Sequence, residues 1–177
     1  MIIGLIGRKG SGKGTVAKIL AEEHDAHVYR MSEVLRSIAT DLHIPVERKN
    51  LIAISETLRK HFGESILGEA ITTQIQNDTA ELYVIDGIRR QADLDGFHEL
   101  DMTLVHVTAP IETRFERILH RGENDEETTM TREQFEELEH ASTETTIKDI
   151  EHQATLTIEN TGSLENLREK IQTLLAQ

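Results

Sequence analysis

A chain of 177 residues can bury the core of one domain, and 37% hydrophobic with 29% charged residues excludes a disordered or collagen-like polymer. With 19 Lys and Arg against 32 Asp and Glu, the net charge of −13 argues against a nucleic-acid-binding face, so any local basic cluster becomes an anion-site candidate. The absence of cysteine excludes disulfides and thiolate metal sites, and no apolar run approaches the ~20 residues of a membrane span. The expectation is a single cytoplasmic domain over residues 1–177, without membrane, nucleic-acid or protein-bound metal partners.

Ile2 to Ile6 reads as a buried strand, followed by a glycine-rich loop from Gly7 to Gly12, then Lys13. Val16, Ile19 and Leu20 recur at helical spacing and predict a helix ending near His24. A strand, Gly-x-x-x-x-Gly-Lys and a helix, in that order, form the context of a phosphate-binding loop. Its backbone N–H groups and the helix dipole suit an anion, and Lys13 adds a point charge over the β- and γ-phosphates. Gly14 stands where Ser or Thr is usual, and Thr15 follows one place later. The plain alternative is a glycine-rich turn between two core elements.

Ala26–Arg30 is the second strand, and Ser32 is read as the N-cap of a helix Glu33–Leu42. Pro45 interrupts, then Glu47–His61 and Glu64–Asn77 read as amphipathic helices separated by Gly63. Ile38, Ile52, Leu58, Phe62, Ile66 and Leu67 either line a ligand pocket or fill a helix core. Leu82–Ile85 is a strand that ends in Asp86-Gly87; a carboxylate there either reaches the magnesium of a nucleotide or caps a turn. Arg89 and Arg90 follow at once, a pair suited to bidentate phosphate binding or merely solvated. Met102–Thr108 is the fourth strand, and Pro110 starts a helix to Arg121. Arg114, Arg117 and Arg121 on that helix are spaced three and four apart, so they are expected on one face. On a closing lid such arginines neutralise transferred charge; the plain account is a surface salt-bridge ladder. The acidic stretch 122–131 lacks apolar periodicity and reads as a lid loop, with Arg132 on its far side. Thr131 and Gln134 have capping-box spacing for a long polar helix. Ala154–Glu159 is the last strand, and Ser163 caps a final helix to about Leu175. Five strands alternating with helices predict an α/β, doubly wound, parallel five-stranded sheet with ligands beyond the strand C-termini.

Taken together, these segments resemble the P-loop nucleotide kinases of the adenylate kinase-like and dephospho-coenzyme A kinase-like group. MSEVLR resembles their acceptor-phosphate segment, VIDGIRR their Asp-Gly-x-Pro-Arg segment, ETRFERILHR the lid-bordering helix and IENTGSLENL the turn near the adenine. The match is nearest to small kinases in which a strand ends in Asp-Gly-Ile-Arg. The resemblance implies a P-loop fold with a helical acceptor-binding insert over 31–78 and a short lid. It implies that Gly10, Ser11, Gly12, Lys13, Gly14, Thr15, Arg117, Arg121 and Asn160 serve ATP, with Lys13, Asp86, Arg117 and Arg121 catalytic. Arg36, Arg89 and Arg90 serve the acceptor, and the missing proline leaves open whether Arg89 or Arg90 is the clamp. Magnesium enters with ATP, near Thr15 and Asp86.

A phosphate acceptor is already a nucleophile, whereas a hydroxyl acceptor benefits from a carboxylate base. The dephospho-coenzyme A kinases carry an aspartate just after the second strand, where VYRMSEVLR has none, so a nucleoside monophosphate is favoured. Glu33 keeps the hydroxyl alternative alive. A reading of another class is an ATP-binding switch or assembly factor that acts through a protein partner.

Overall fold

The computed structural model describes residues 1–121, 130–139 and 142–176. The strands are β1 (Ile2–Ile6), β2 (His27–Arg30), β3 (Tyr83–Asp86), β4 (Met102–Thr108) and β5 (Leu156–Glu159). The helices are α1 (Lys13–His24), α2 (Met31–Asp41), α3 (Arg48–Phe62), α4 (Ile66–Gln76), α5 (Gln91–Asp95), α6 (Ile111–Arg121), α7 (Arg132–Glu139), α8 (Ser142–Ile150) and α9 (Leu164–Leu175). A 3₁₀ turn, Glu151–Gln153, joins α8 to β5.

All strand pairings are parallel, in the order β2-β3-β1-β4-β5. Parallel sheets must be covered on both faces, and the alternation of side chains along β1 and β4 does this. Ile3, Leu5, Val105 and Val107 pack with α1 and with Leu167, Ile171 and Leu174 of α9. Ile6 and Leu104 face the other way, into a cluster with Leu67, Ile71 and Ile75 of α4, Phe97 and Ile150. The chain leaves β1 toward one face and β3 toward the other. The strand order therefore switches between β1 and β3, and sheets of this kind bind ligands beyond the strand ends at such a point.

Three sequence expectations need correction. Ser32 caps nothing: α2 begins at Met31, with extended Arg30 at the cap position, because the chain turns into the helix directly from β2. Met31 is then buried beneath Gly87, and Arg30 donates to Glu33 in the first turn at 2.9 Å. Ile52 and Phe62 are not core: they are 46% and 67% exposed, since α3 packs by one face onto α2 and α4 and presents the other to solvent. The run after Thr131 contains α7 and α8, with residues 140 and 141 outside the described residues. The capping box itself forms, Thr131 N–H donating to Gln134 Oε1 at 2.8 Å and Gln134 N–H to Thr131 Oγ1 at 3.2 Å. Ser163 caps α9 by accepting from Asn166 N–H.

Candidate active site

The loop after β1 is shaped by close approaches that only glycine allows. Gly12 has φ +101°, and a Cβ there would stand 2.1 Å from Asn160 Nδ2. Asn160 is buried at the end of β5 and donates to the Ser11 carbonyl at 2.9 Å. Arg117 donates to that same carbonyl at 3.4 Å and to the Asn160 carbonyl at 3.0 Å. Asn160, expected near the adenine, braces the loop through its side chain. Lys13 Nζ reaches back to the Gly7 carbonyl at 2.5 Å and the Arg8 carbonyl at 3.2 Å. Among the described residues the backbone N–H groups of Gly10, Gly12 and Gly14 have no acceptor, which is the donor-rich state an anion needs. Around Gly14 a Cβ would meet nothing within 4 Å, so the departure from Ser or Thr is not steric. Thr15 is exposed in the first turn of α1.

Across the switch point, Asp86 ends β3 in register with Leu5 and Arg30. Its ion pair with Arg30 is 3.8 Å, beyond hydrogen-bonding distance, so the carboxylate keeps its lone pairs available. Gly87, at φ +95°, turns the chain there. Arg89 and Arg90 come next, with exposed side chains; their backbone N–H groups donate to Asp93 Oδ2 at 2.9 and 3.1 Å. Arg90 lies 4.0 Å from Glu64. Arg36, on α2, is exposed and has no hydrogen-bond or ion-pair partner among the described residues.

Arg114, one turn before Arg117 on α6, is not an exposed arginine. Its guanidinium is buried and bidentate on Glu139, Nη1 to Oε1 at 2.6 Å and Nη2 to Oε2 at 2.7 Å. It also donates to the carbonyls of Ala109 at 3.1 Å and Lys9 at 3.3 Å, and lies over the Phe135 ring. Arg8 completes the cluster by donating to Glu139 Oε2 at 2.8 Å. Burial pushes the Glu139 carboxyl up, but the hydrogen bonds from Arg114 and Arg8 outweigh it and hold its pKa below the ordinary value. Arg132 pairs with Glu136 at 2.8 Å and Glu112 at 3.4 Å and lies over Phe115, joining α7 to α6. The side chain of Arg121 and the lid residues 122–129 lie outside the described residues.

Sequence reading missed Arg8, Glu139, Arg59 and Asp93, because their partners are far away along the chain. It also missed a polar cavity of about 250 Å³ lined by Arg8, Ser11, His106, Thr108, Arg114 and Glu151. The buried Ser11 hydroxyl on its wall has no partner among the described residues. Burial lowers the pKa of His106 there, against the opposing pull of Glu151.

A phosphate loop between β1 and α1, a carboxylate closing β3 and a parallel sheet ordered 2-3-1-4-5 define a P-loop nucleotide-binding protein with a kinase-like fold. The fold is shared with a shikimate kinase from Aquifex aeolicus, at a TM-score of 0.56 and 18% identity over 99% of this chain and 96% of that one. A deoxyadenosine kinase from M. mycoides aligns at 0.60 and 16% identity over 99% of each chain. The AAA domain family matches residues 3–144, and the chain belongs to it. It is also similar to two proteins named only as UPF0200: one from Archaeoglobus fulgidus, also designated UPF0201, 30% identical over 98% of this chain, and one from Hyperthermus butylicus, 32% identical over 73%. The chain spans 54% of the length of the first and 69% of the second. No helix among the described residues is long and apolar enough to cross a membrane.

Proposed function

We propose that the chain is an ATP-dependent nucleotide kinase of the adenylate kinase-like group that transfers the γ-phosphoryl group to a nucleoside monophosphate. The observation that carries this reading is the division of charge around the loop. Arg117 lies against the loop on the β4–β5 side, while Arg36, Arg89 and Arg90 present exposed side chains on the β3 side. Transfer between two anions needs cations on both flanks, because charge spread over the transferred group must be held in line without water. Lys13 serves the β- and γ-phosphates, while Arg36 of the helical insert over residues 31–78 and Arg89 and Arg90 of the loop after β3 serve the acceptor phosphate. Arg121 and Arg132 border the lid in this reading.

The Thr15 hydroxyl and the Asp86 carboxylate are hard oxygen donors that fit a magnesium ion carried by ATP. When bound, that ion offsets charge on the β- and γ-oxygens. The chain's own contribution is to orient: Lys13 and the free loop amides fix the donor, and the arginines fix the acceptor. Glu33 is paired with Arg30 in the helix start, which disfavours it as a base for a hydroxyl acceptor.

The test is an assay with ATP and magnesium over the ribo- and deoxynucleoside monophosphates, with dephospho-coenzyme A beside them. Turnover that requires a monophosphate is expected. Turnover with dephospho-coenzyme A alone overturns the acceptor assignment. Acceptor-independent hydrolysis stimulated by a protein overturns the kinase reading.

A further inference from the structure

α5 has five residues, too few to be stable as an isolated helix, yet it anchors the loop that carries Arg89 and Arg90. Its anchor is Asp93, 2% exposed. The Asp93 carboxylate acts as a cap, Oδ2 accepting from the backbone N–H of Arg89 and of Arg90. A capping carboxylate usually faces water. This one is buried, and its Oδ1 accepts from Arg59 Nη2 at 2.7 Å, 34 positions away on α3. Arg59 is itself buried, and its Nη1 donates to the Glu64 carbonyl in the turn between α3 and α4.

A second fastening lies beside the first. Thr72 Oγ1 of α4 donates to the Gly96 carbonyl at 2.8 Å, just past α5. Gly68 passes so close that a Cβ there would stand 2.9 Å from Gly96 Cα. The arginine loop is thus tied to the α3–α4 hairpin by an ion pair, a hydroxyl bond and a glycine–glycine contact.

We propose that Asp93 and Arg59 are positioning residues for the acceptor side: Asp93 sets the backbone of Arg89 and Arg90, and Arg59 makes that setting follow the position of α3. The loop and the hairpin then move as one unit when a phosphate-bearing acceptor is gripped. The inference rests on the reading of Arg89 and Arg90 as acceptor ligands. Neither Asp93 nor Arg59 touches the acceptor; each acts through the loop. The physical reason for such a tie is that a clamp held by a fixed backbone loses less freedom on binding, and a misplacement of about 1 Å lowers turnover about a hundredfold.

The experiment compares Asp93→Ala with the double variant Arg59→Gln, Asp93→Asn. The double variant keeps the cap and removes the charges and the tie: the new amide oxygen at position 93 accepts from the loop, while the shorter glutamine at position 59 reaches neither residue 93 nor the Glu64 carbonyl. One readout, amide hydrogen exchange at Arg89 and Arg90 in the free protein, needs no acceptor. The other is the Michaelis constant for ATP and for the monophosphate that the unsubstituted enzyme turns over fastest. Asp93→Ala should speed exchange at both amides about tenfold or more and raise the monophosphate constant about tenfold, with that for ATP within about twofold. The double variant, which keeps the cap and loses the tie to α3, should restore exchange to within about threefold and leave the monophosphate constant raised. If Asp93→Ala does not fold, because it strands the buried Arg59 charge, Arg59→Met with Asp93→Ala takes its place. Unchanged exchange at Arg89 and Arg90, or an equal rise in both Michaelis constants, overturns the proposal. If no monophosphate is turned over, the kinase reading falls, while the exchange readout still decides whether Asp93 sets the loop.

Discussion

Glu139→Gln tests the ion cluster beneath the phosphate loop. Glu139 ends α7, and its two oxygens hold Arg114 at 2.6 and 2.7 Å and Arg8 at 2.8 Å. Glutamine fills the same space, but its amide nitrogen must face a guanidinium, and the buried Arg114 loses its counter-charge. Removing one partner of a buried pair destabilises by about 3–5 kcal/mol. The remaining amide oxygen still accepts one hydrogen bond, so the low end, about 3 kcal/mol, is expected. In a domain of this size that is a fall in Tm of roughly 6–12 °C. The pH dependence separates charge from packing. Because the folded protein holds the Glu139 pKa below its ordinary value, its stabilisation is full above the unfolded pKa and is lost as pH falls through the folded one. The gap between the unsubstituted protein and Glu139→Gln should therefore be full at about pH 7, begin to narrow only as pH falls below about 4, and close further down as the folded carboxyl is protonated. Urea denaturation across that range measures it. A gap under about 1 kcal/mol at neutral pH, or one that stays constant down to about pH 3, would refute the assignment of the stability to an ion pair.

Three further outcomes are expected. Lys13→Ala should abolish most turnover while leaving urea denaturation nearly unchanged, because the lysine acts on charge that develops during transfer; near-normal turnover would remove the phosphate-loop reading. Arg36→Ala should raise the Michaelis constant for the acceptor about ten- to a hundredfold and spare that for ATP, with Arg117→Ala biased the other way, as loss of a charge-assisted contact worth about 1.5–3 kcal/mol requires; steady-state kinetics with each substrate varied would show the opposite pattern if the two flanks are misassigned. Gly12→Ala should abolish ATP binding measured by calorimetry, since its Cβ meets Asn160 Nδ2 at 2.1 Å in a left-handed backbone; binding within about threefold of normal would mean that the loop tolerates rearrangement.

The sequence by itself determined the elements and the loop, because both are local. β4 was read as Met102–Thr108 and has those bounds, since seven residues rich in β-branched side chains lie between turn signals. The Thr131–Gln134 box and the Ser163 cap were legible for the same reason: each joins residues three apart. Glycine spacing announced the phosphate loop, and the alternation of strands and helices announced the parallel sheet. Only the tertiary structure decided what each arginine does. Arg114 and Arg117 stand three apart on one helix and look equivalent in sequence. Arg114 is buried against Glu139, 25 positions on, while Arg117 reaches the loop and the end of β5. The Asp93–Arg59 pair and the packing of Asn160 beneath Gly12 were likewise hidden, being contacts between elements that adjoin only once the sheet is assembled. Periodicity and capping are fixed by neighbours along the chain. The partner of a buried charge is fixed by which elements the sheet order brings side by side, and no spacing in the sequence records that.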